Sequence, residues 1–128
     1  MASRATTDLV LIRGLPGAGK STLARLFGFP HFEADMFFEG REFDPAELVE
    51  AHDWCFEMAL QKLVLGRSVV VSNTSTTKWE VERYEELARV TGARLISIIV
   101  ENRHGSESIH DVPQSTIDKM RERFEVKL

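Results

Sequence analysis

Cysteine, basic excess and long apolar runs are all scarce in this chain. Its one cysteine, Cys55, excludes an internal disulfide, and its four histidines, His31, His52, His104 and His110, fall at no spacing that would hold zinc. No apolar stretch reaches membrane-spanning length, and the opening Met-Ala-Ser-Arg-Ala-Thr-Thr-Asp lacks the apolar core that directs secretion. A cytoplasmic location with no membrane partner is expected. Without an export signal the glycosylation pattern Asn73-Thr74-Ser75 carries no weight. A net charge of -4 leaves no broad basic face, which excludes non-specific duplex binding held by charge but not a small local groove for nucleic acid. What is present is 128 residues, 43% of them hydrophobic. That is enough for one domain over residues 1–128 with a three-layer core, and too little for a second.

Gly14-Leu15-Pro16-Gly17-Ala18-Gly19-Lys20-Ser21-Thr22 follows directly on the apolar run Leu9-Val10-Leu11-Ile12-Arg13. The pattern predicts a phosphate-binding loop where a buried strand hands over to a helix. Glycines let the backbone wrap closely around phosphate, successive N–H groups point inward, and the helix brings its positive end to the anion. Gly14, Leu15, Pro16, Gly17, Ala18, Gly19, Lys20, Ser21 and Thr22 are therefore the expected binding residues for ATP or another triphosphate. Lys20 would reach the β and γ phosphates, and Ser21 would give its hydroxyl to Mg²⁺, the only metal implied.

Strand and helix patterns alternate along the chain. Residues 9–13, 31–33, 68–72 and 93–100 read as strands; 68–72 is a β-branched run suited to burial on both faces. Residues 20–27 read as a first helix stopped by Gly28 and Pro30. Asp44-Pro45 starts a long second helix to about Leu65, with Leu48, Cys55, Phe56, Ala59 and Leu63 at helical spacing. A third helix spans 78–90, closed by Gly92, and a last one begins at Pro113 and runs to about Glu125. Residues 73–77 read as a polar loop whose Thr76 or Thr77 caps the third helix, and 101–112 as a loop without periodicity. Alternation of this kind implies an α/β fold with a parallel sheet and ligands at the strand carboxyl ends.

Several segments together resemble the small P-loop kinases of the polynucleotide-kinase and zeta-toxin type, including kinase domains common in bacteriophage. The residues that carry this are Arg13 through Arg25, Ala34-Asp35-Met36-Phe37-Phe38, Ala51-His52-Asp53-Trp54, Ser72-Asn73-Thr74-Ser75-Thr76, Trp79-Glu80, Asn102-Arg103-His104-Gly105 and Val112-Pro113 ahead of Lys119-Met120-Arg121. The resemblance implies a three-layer fold with the sheet in the order 2-3-1-4, a short lid, and transfer of the γ phosphate of ATP to a hydroxyl. It implies Asp35 as general base on the acceptor hydroxyl, beside the catalytic Lys20. Asn73 and Thr74 would lie against the acceptor, and Arg103 would come from the lid to the transferring phosphoryl group.

The chain departs from the family pattern at four points. Arg103 is the one arginine between Glu101 and Val112, where such kinases often have two. Phe38 stands where polynucleotide kinases have a basic residue, and Ser72-Asn73 stands where many P-loop enzymes have an Asp that holds magnesium's water shell. The acceptor side carries Glu33, Asp35, Glu39, Glu42, Asp44 and Glu47, with Arg41 as the one base there to bind an acceptor phosphate. His52 reads as a core histidine beside the apolar stripe of the second helix, and Trp54 and Trp79 as core or base-stacking residues.

Three functions remain open on these residues. One is a kinase acting on nucleic acid, at a 5′ hydroxyl or at a hydroxymethyl group of a modified base. The second is a small-molecule kinase for a nucleoside, nucleotide or sugar. The third is an ATPase switch acting through a partner.

Overall fold

The computed structural model describes residues 6–75, 77–102 and 112–126. Four parallel strands, β1 (Asp8–Arg13), β2 (His31–Phe32), β3 (Val69–Asn73) and β4 (Arg94–Ile99), form one sheet in the order β2-β3-β1-β4. Among the described residues four α-helices accompany them: α1 (Lys20–Arg25), α2 (Leu48–Val64), α3 (Lys78–Thr91) and α4 (Gln114–Arg123). The three-layer α/β fold is as expected from the alternation of strands and helices, and the strand order is the one that the family resemblance implies. β1 lies at the centre, with Leu9 opposite Val69 on one side and opposite Leu95 on the other. Both faces of β1 and β3 are buried, which is why these strands read as unbroken apolar runs.

Alternate residues serve opposite faces. Leu9, Leu11, Val69 and Val71 pack against Cys55, Ala59 and Leu63 of α2 and against Val81, Tyr84, Leu87 and Ala88 of α3. Val10, Ile12 and Val70 pack against Ala24 of α1, with Leu23, Phe27 and Phe29 at the margin. Among the described residues no helix is long and apolar enough to cross a membrane.

The boundaries differ from the sequence reading in instructive ways. α1 ends at Arg25, two residues early, and continues as a turn through Phe27, whose N–H reaches the Ala24 carbonyl. Asp44 does cap the segment at Pro45, its carboxylate accepting from Ala46 N at 3.0 Å. The first turn there is a 3-10 turn (Pro45–Glu47), and α2 proper begins at Leu48. A second 3-10 turn, Ala34–Phe38, follows β2 directly. Periodicity does not reveal it, because five residues hold too little of any repeat. Thr77 is the N-cap of α3, but its hydroxyl donates to Glu80 Oε1 at 2.8 Å rather than accepting from the helix backbone.

Candidate functional site

The loop between β1 and α1 is shaped by its glycines. A Cβ on Gly14 would lie 2.7 Å from the Val100 carbonyl oxygen, so only glycine lets the loop start this close to the end of β4. Gly17 and Gly19 take φ of 82° and 99°, in the left-handed region that side chains avoid. Gly19 is also the N-cap of α1, and no side chain caps that helix end. Its first-turn N–H groups are thus left to an anion at the cavity that Gly17, Gly19, Lys20 and Ser21 line, and this backbone fits a polyphosphate.

Lys20, Ser21 and two carboxylates converge beside this loop. Lys20 Nζ donates to the Leu15 carbonyl at 3.1 Å; burial pushes its pKa down, while Glu33 and Asp35 pull it up. Ser21 Oγ donates to Glu33 Oε2 at 2.9 Å, a partner that the sequence reading did not anticipate. The hard oxygen of Ser21 beside a phosphate cradle suits Mg²⁺. Asp35 rides on the 3-10 turn Ala34–Phe38 and lines the same cavity as Lys20.

Asn73 explains how Asp35 is held. Its Oδ1 accepts from Ala34 N at 2.8 Å, tying the end of β3 to the start of that turn, and its Nδ2 lies 3.6 Å from Cys55 Sγ. Burial pushes the Cys55 thiol pKa up, so the sulfur stays neutral beneath the amide. The side chain expected to touch an acceptor is therefore committed first to positioning the turn. Thr74 lines the cavity alongside it.

The cavity measures about 1660 Å³ and extends from the loop to α2, α3 and α4. Phe43, Leu48, Val49 and Trp79 line it with exposed apolar side chains; Trp79 is 66% exposed. Opposite in character, His52, Asp53, Glu80 and Arg83 line the cavity as a polar group. Arg83 bonds Asp53 Oδ1 at 3.3 Å and stacks over Phe56, its guanidinium carbon 4.4 Å from the ring centroid. His52 is half-buried against this group rather than sealed in the core. Burial lowers its pKa, with Glu80, Asp35 and Asp53 opposing and Arg83 reinforcing the shift.

Other expected residues fall elsewhere. Arg41 does not line this cavity: its guanidinium lies 4.2 Å from the Phe37 ring centroid and pairs with Glu47 at 2.8 Å. Phe38, at the place of a basic residue in polynucleotide kinases, is buried against Phe37 and Phe43. Trp54 packs edge-on against Phe32, so only Trp79 of the two tryptophans lines the cavity. Arg103 and most of the expected lid lie outside the described residues. Two guanidiniums that spacing alone did not single out, Arg83 and Arg123, line the cavity from α3 and α4.

A parallel sheet ordered 2-3-1-4, with a glycine-rich phosphate loop between its central strand and the first helix, defines a P-loop NTPase fold. Residues 9–126 match the AAA domain family, and the chain belongs to it. It is 37% identical over 90 residues to human NEDD4-binding protein 2, a stretch that is 63% of this chain and 5% of that protein. Among solved structures it resembles a chain of the Pnkp1/Rnl/Hen1 RNA repair complex, with a TM-score of 0.72 and 16% identity over 95% of this chain and 45% of the other. It also resembles a gluconokinase from Sinorhizobium meliloti 1021, with a TM-score of 0.63 and 21% identity over 96% of this chain and 78% of the other. The chain thus spans only a small part of the human relative and under half of the repair-complex chain, and the structural likenesses establish the fold.

Proposed function

We propose that this chain is an ATP-dependent phosphotransferase that moves the γ-phosphoryl group of ATP to a hydroxyl of nucleic acid, either a 5′ hydroxyl or a hydroxymethyl group on a modified base. The observation that carries this reading is that Lys20 and Asp35 line one cavity at the carboxyl ends of the strands. There the acceptor oxygen attacks the γ phosphorus, the bond from that phosphorus to the β–γ bridging oxygen breaks, and ADP leaves. Asp35 takes the hydroxyl proton, and Lys20 offsets charge on the phosphate oxygens. Ser21 would hold Mg²⁺, which would further neutralise the phosphates. Arg103 is the guanidinium assigned to the transferring group. Thr74 and the exposed ring of Trp79 suit an acceptor that brings a flat base with its hydroxyl.

A small-molecule acceptor is the second reading. Among the described residues four carboxylates, Glu33, Asp35, Asp53 and Glu80, line the cavity against three cations, Lys20, Arg83 and Arg123, a balance that disfavours a polyanionic acceptor. The resemblance to a gluconokinase is compatible with it. Both readings are tested by offering γ-labelled ATP with oligonucleotides, hydroxymethylated DNA, nucleosides and simple sugars in parallel. Transfer to either nucleic-acid substrate supports the first reading; transfer confined to the small molecules replaces it with the second. Release of inorganic phosphate alone removes both and leaves an ATPase switch.

A further inference from the structure

P-loop enzymes hold magnesium with the loop Ser or Thr and an Asp from the neighbouring strand. Here the strand beside β1 offers Ser72, whose hydroxyl lies 2.5 Å from His31 Nε2. The carboxylate that does meet the loop serine follows the next strand out. Glu33, the residue just after β2, accepts the Ser21 hydroxyl at 2.9 Å on Oε2, and its Oε1 lies 3.8 Å from the same His31 nitrogen. The side chain is only 17% exposed. Ser21, Glu33, His31 and Ser72 therefore form one chain of polar contacts across α1, β2 and β3.

We infer that Glu33 is the carboxylate of the magnesium site, supplied from just after β2 in place of the acid that β3 lacks. The chemistry follows from the direction of the hydrogen bond. A serine that donates its proton to a carboxylate keeps its oxygen lone pairs for a cation, and the carboxylate fixes that orientation. Glu33 lines the same cavity as Lys20 and raises its pKa, so its charge lies near the phosphate cradle. An anion there repels a bare triphosphate and attracts a divalent cation, so it selects the metal-bound nucleotide over the free one. Ser21 with Glu33 is an all-oxygen pair of the kind Mg²⁺ takes, with phosphate and water oxygens completing the shell.

This inference rests on triphosphate binding at the loop but not on any acceptor, so it is tested without one. The affinity of a non-hydrolysable ATP analogue is measured by calorimetry in EDTA and in excess Mg²⁺, and Mn²⁺ binding to the analogue complex is followed by electron paramagnetic resonance. In Glu33→Gln, with its fold checked by circular dichroism, the preference for metal-bound nucleotide should fall about tenfold or more while metal-free affinity holds or rises, on the scale seen for residues that support metal ligands. A Glu33→Gln/Ser72→Asp chain, which returns an acid to β3, should recover Mn²⁺ binding. An unchanged metal preference in Glu33→Gln, or an equal loss with and without metal, overturns the inference and leaves the kinase reading intact. A wild-type chain that binds no triphosphate removes both.

Discussion

Arg13 donates to the carbonyl oxygen of Ser75 from Nε at 2.9 Å and from Nη2 at 2.6 Å, joining the end of β1 to the loop after β3 across 62 residues of sequence. The guanidinium is fully buried. Nη2 also reaches the Glu125 carbonyl at 2.6 Å, and the Phe124 ring centroid lies 4.8 Å from its carbon. Ser75 has φ 45°, a left-handed conformation that a serine adopts only when its surroundings hold it. Desolvation lowers the Arg13 pKa, opposed by Glu80 and Glu125. Arg13 thus fastens the phosphate-loop strand to the loop after β3 and to the segment after α4.

Replacing Arg13 by Met should strip the buried Ser75 carbonyl and the part-buried Glu125 carbonyl of their donor and destabilise the fold by about 2–4 kcal/mol. Thermal or urea unfolding measures it. An unchanged midpoint would mean that the clamp contributes nothing net, as happens when a buried charge's desolvation cancels its bonds.

Asp35→Asn keeps the shape of the side chain but cannot take a proton. Phosphoryl transfer should fall about a hundredfold or more while ATP affinity is retained. Normal transfer by this variant would make Asp35 a structural residue of its 3-10 turn. Asn73→Ala should loosen the same turn through the lost bond to Ala34 N, lowering both stability and turnover.

His52 gives the fold a pH dependence of defined sign. Its pKa is lowered by burial from about 6.5, so the unfolded chain takes up the proton first as pH falls. Its contribution is complete above about pH 6.5 and is lost progressively below that value. His31 is shifted in the same direction, also chiefly by burial. His52→Asn should therefore flatten part of the acid loss of stability, leaving the share of His31. Denaturant midpoints measured across mildly acidic pH test this; identical profiles for variant and wild type would contradict it.

How much of this was legible in the sequence depends on how far apart the interacting residues lie. The run Leu9–Arg13 followed by Gly14–Thr22 is a local pattern, and so is the β-branched stretch from Val69 to Val71; both appear in the structure where the pattern put them. The bond from Ser21 to Glu33 and the clamp from Arg13 to Ser75 join residues that no periodicity links, and only the packed sheet brings them together. His52 illustrates the intermediate case. Helical spacing located it beside the apolar stripe of α2, but not the fact that this edge borders the cavity. Arg41 was singled out by charge alone, and a neighbouring ring and carboxylate hold it elsewhere.

Arg103→Ala, measured at saturating ATP, should lower turnover by roughly a thousandfold if the residue stabilises the transferring phosphoryl group as an arginine finger does. Preserved turnover with weakened ATP binding would make it a ground-state clamp instead. Arg83→Ala and Arg123→Ala then report whether the guanidiniums of α3 and α4 share that work.

Transfer of labelled γ phosphate from ATP to a 5′-hydroxyl oligonucleotide, compared between the wild-type chain and Lys20→Ala, is the most direct measurement. Lys20 sits at the loop rather than in the sheet core, so its loss should spare the fold and remove most of the transfer. The expected result is label on the oligonucleotide with wild type and little or none with the variant. Label found only as inorganic phosphate, or transfer that survives the loss of Lys20, would contradict a nucleic-acid kinase built on this loop.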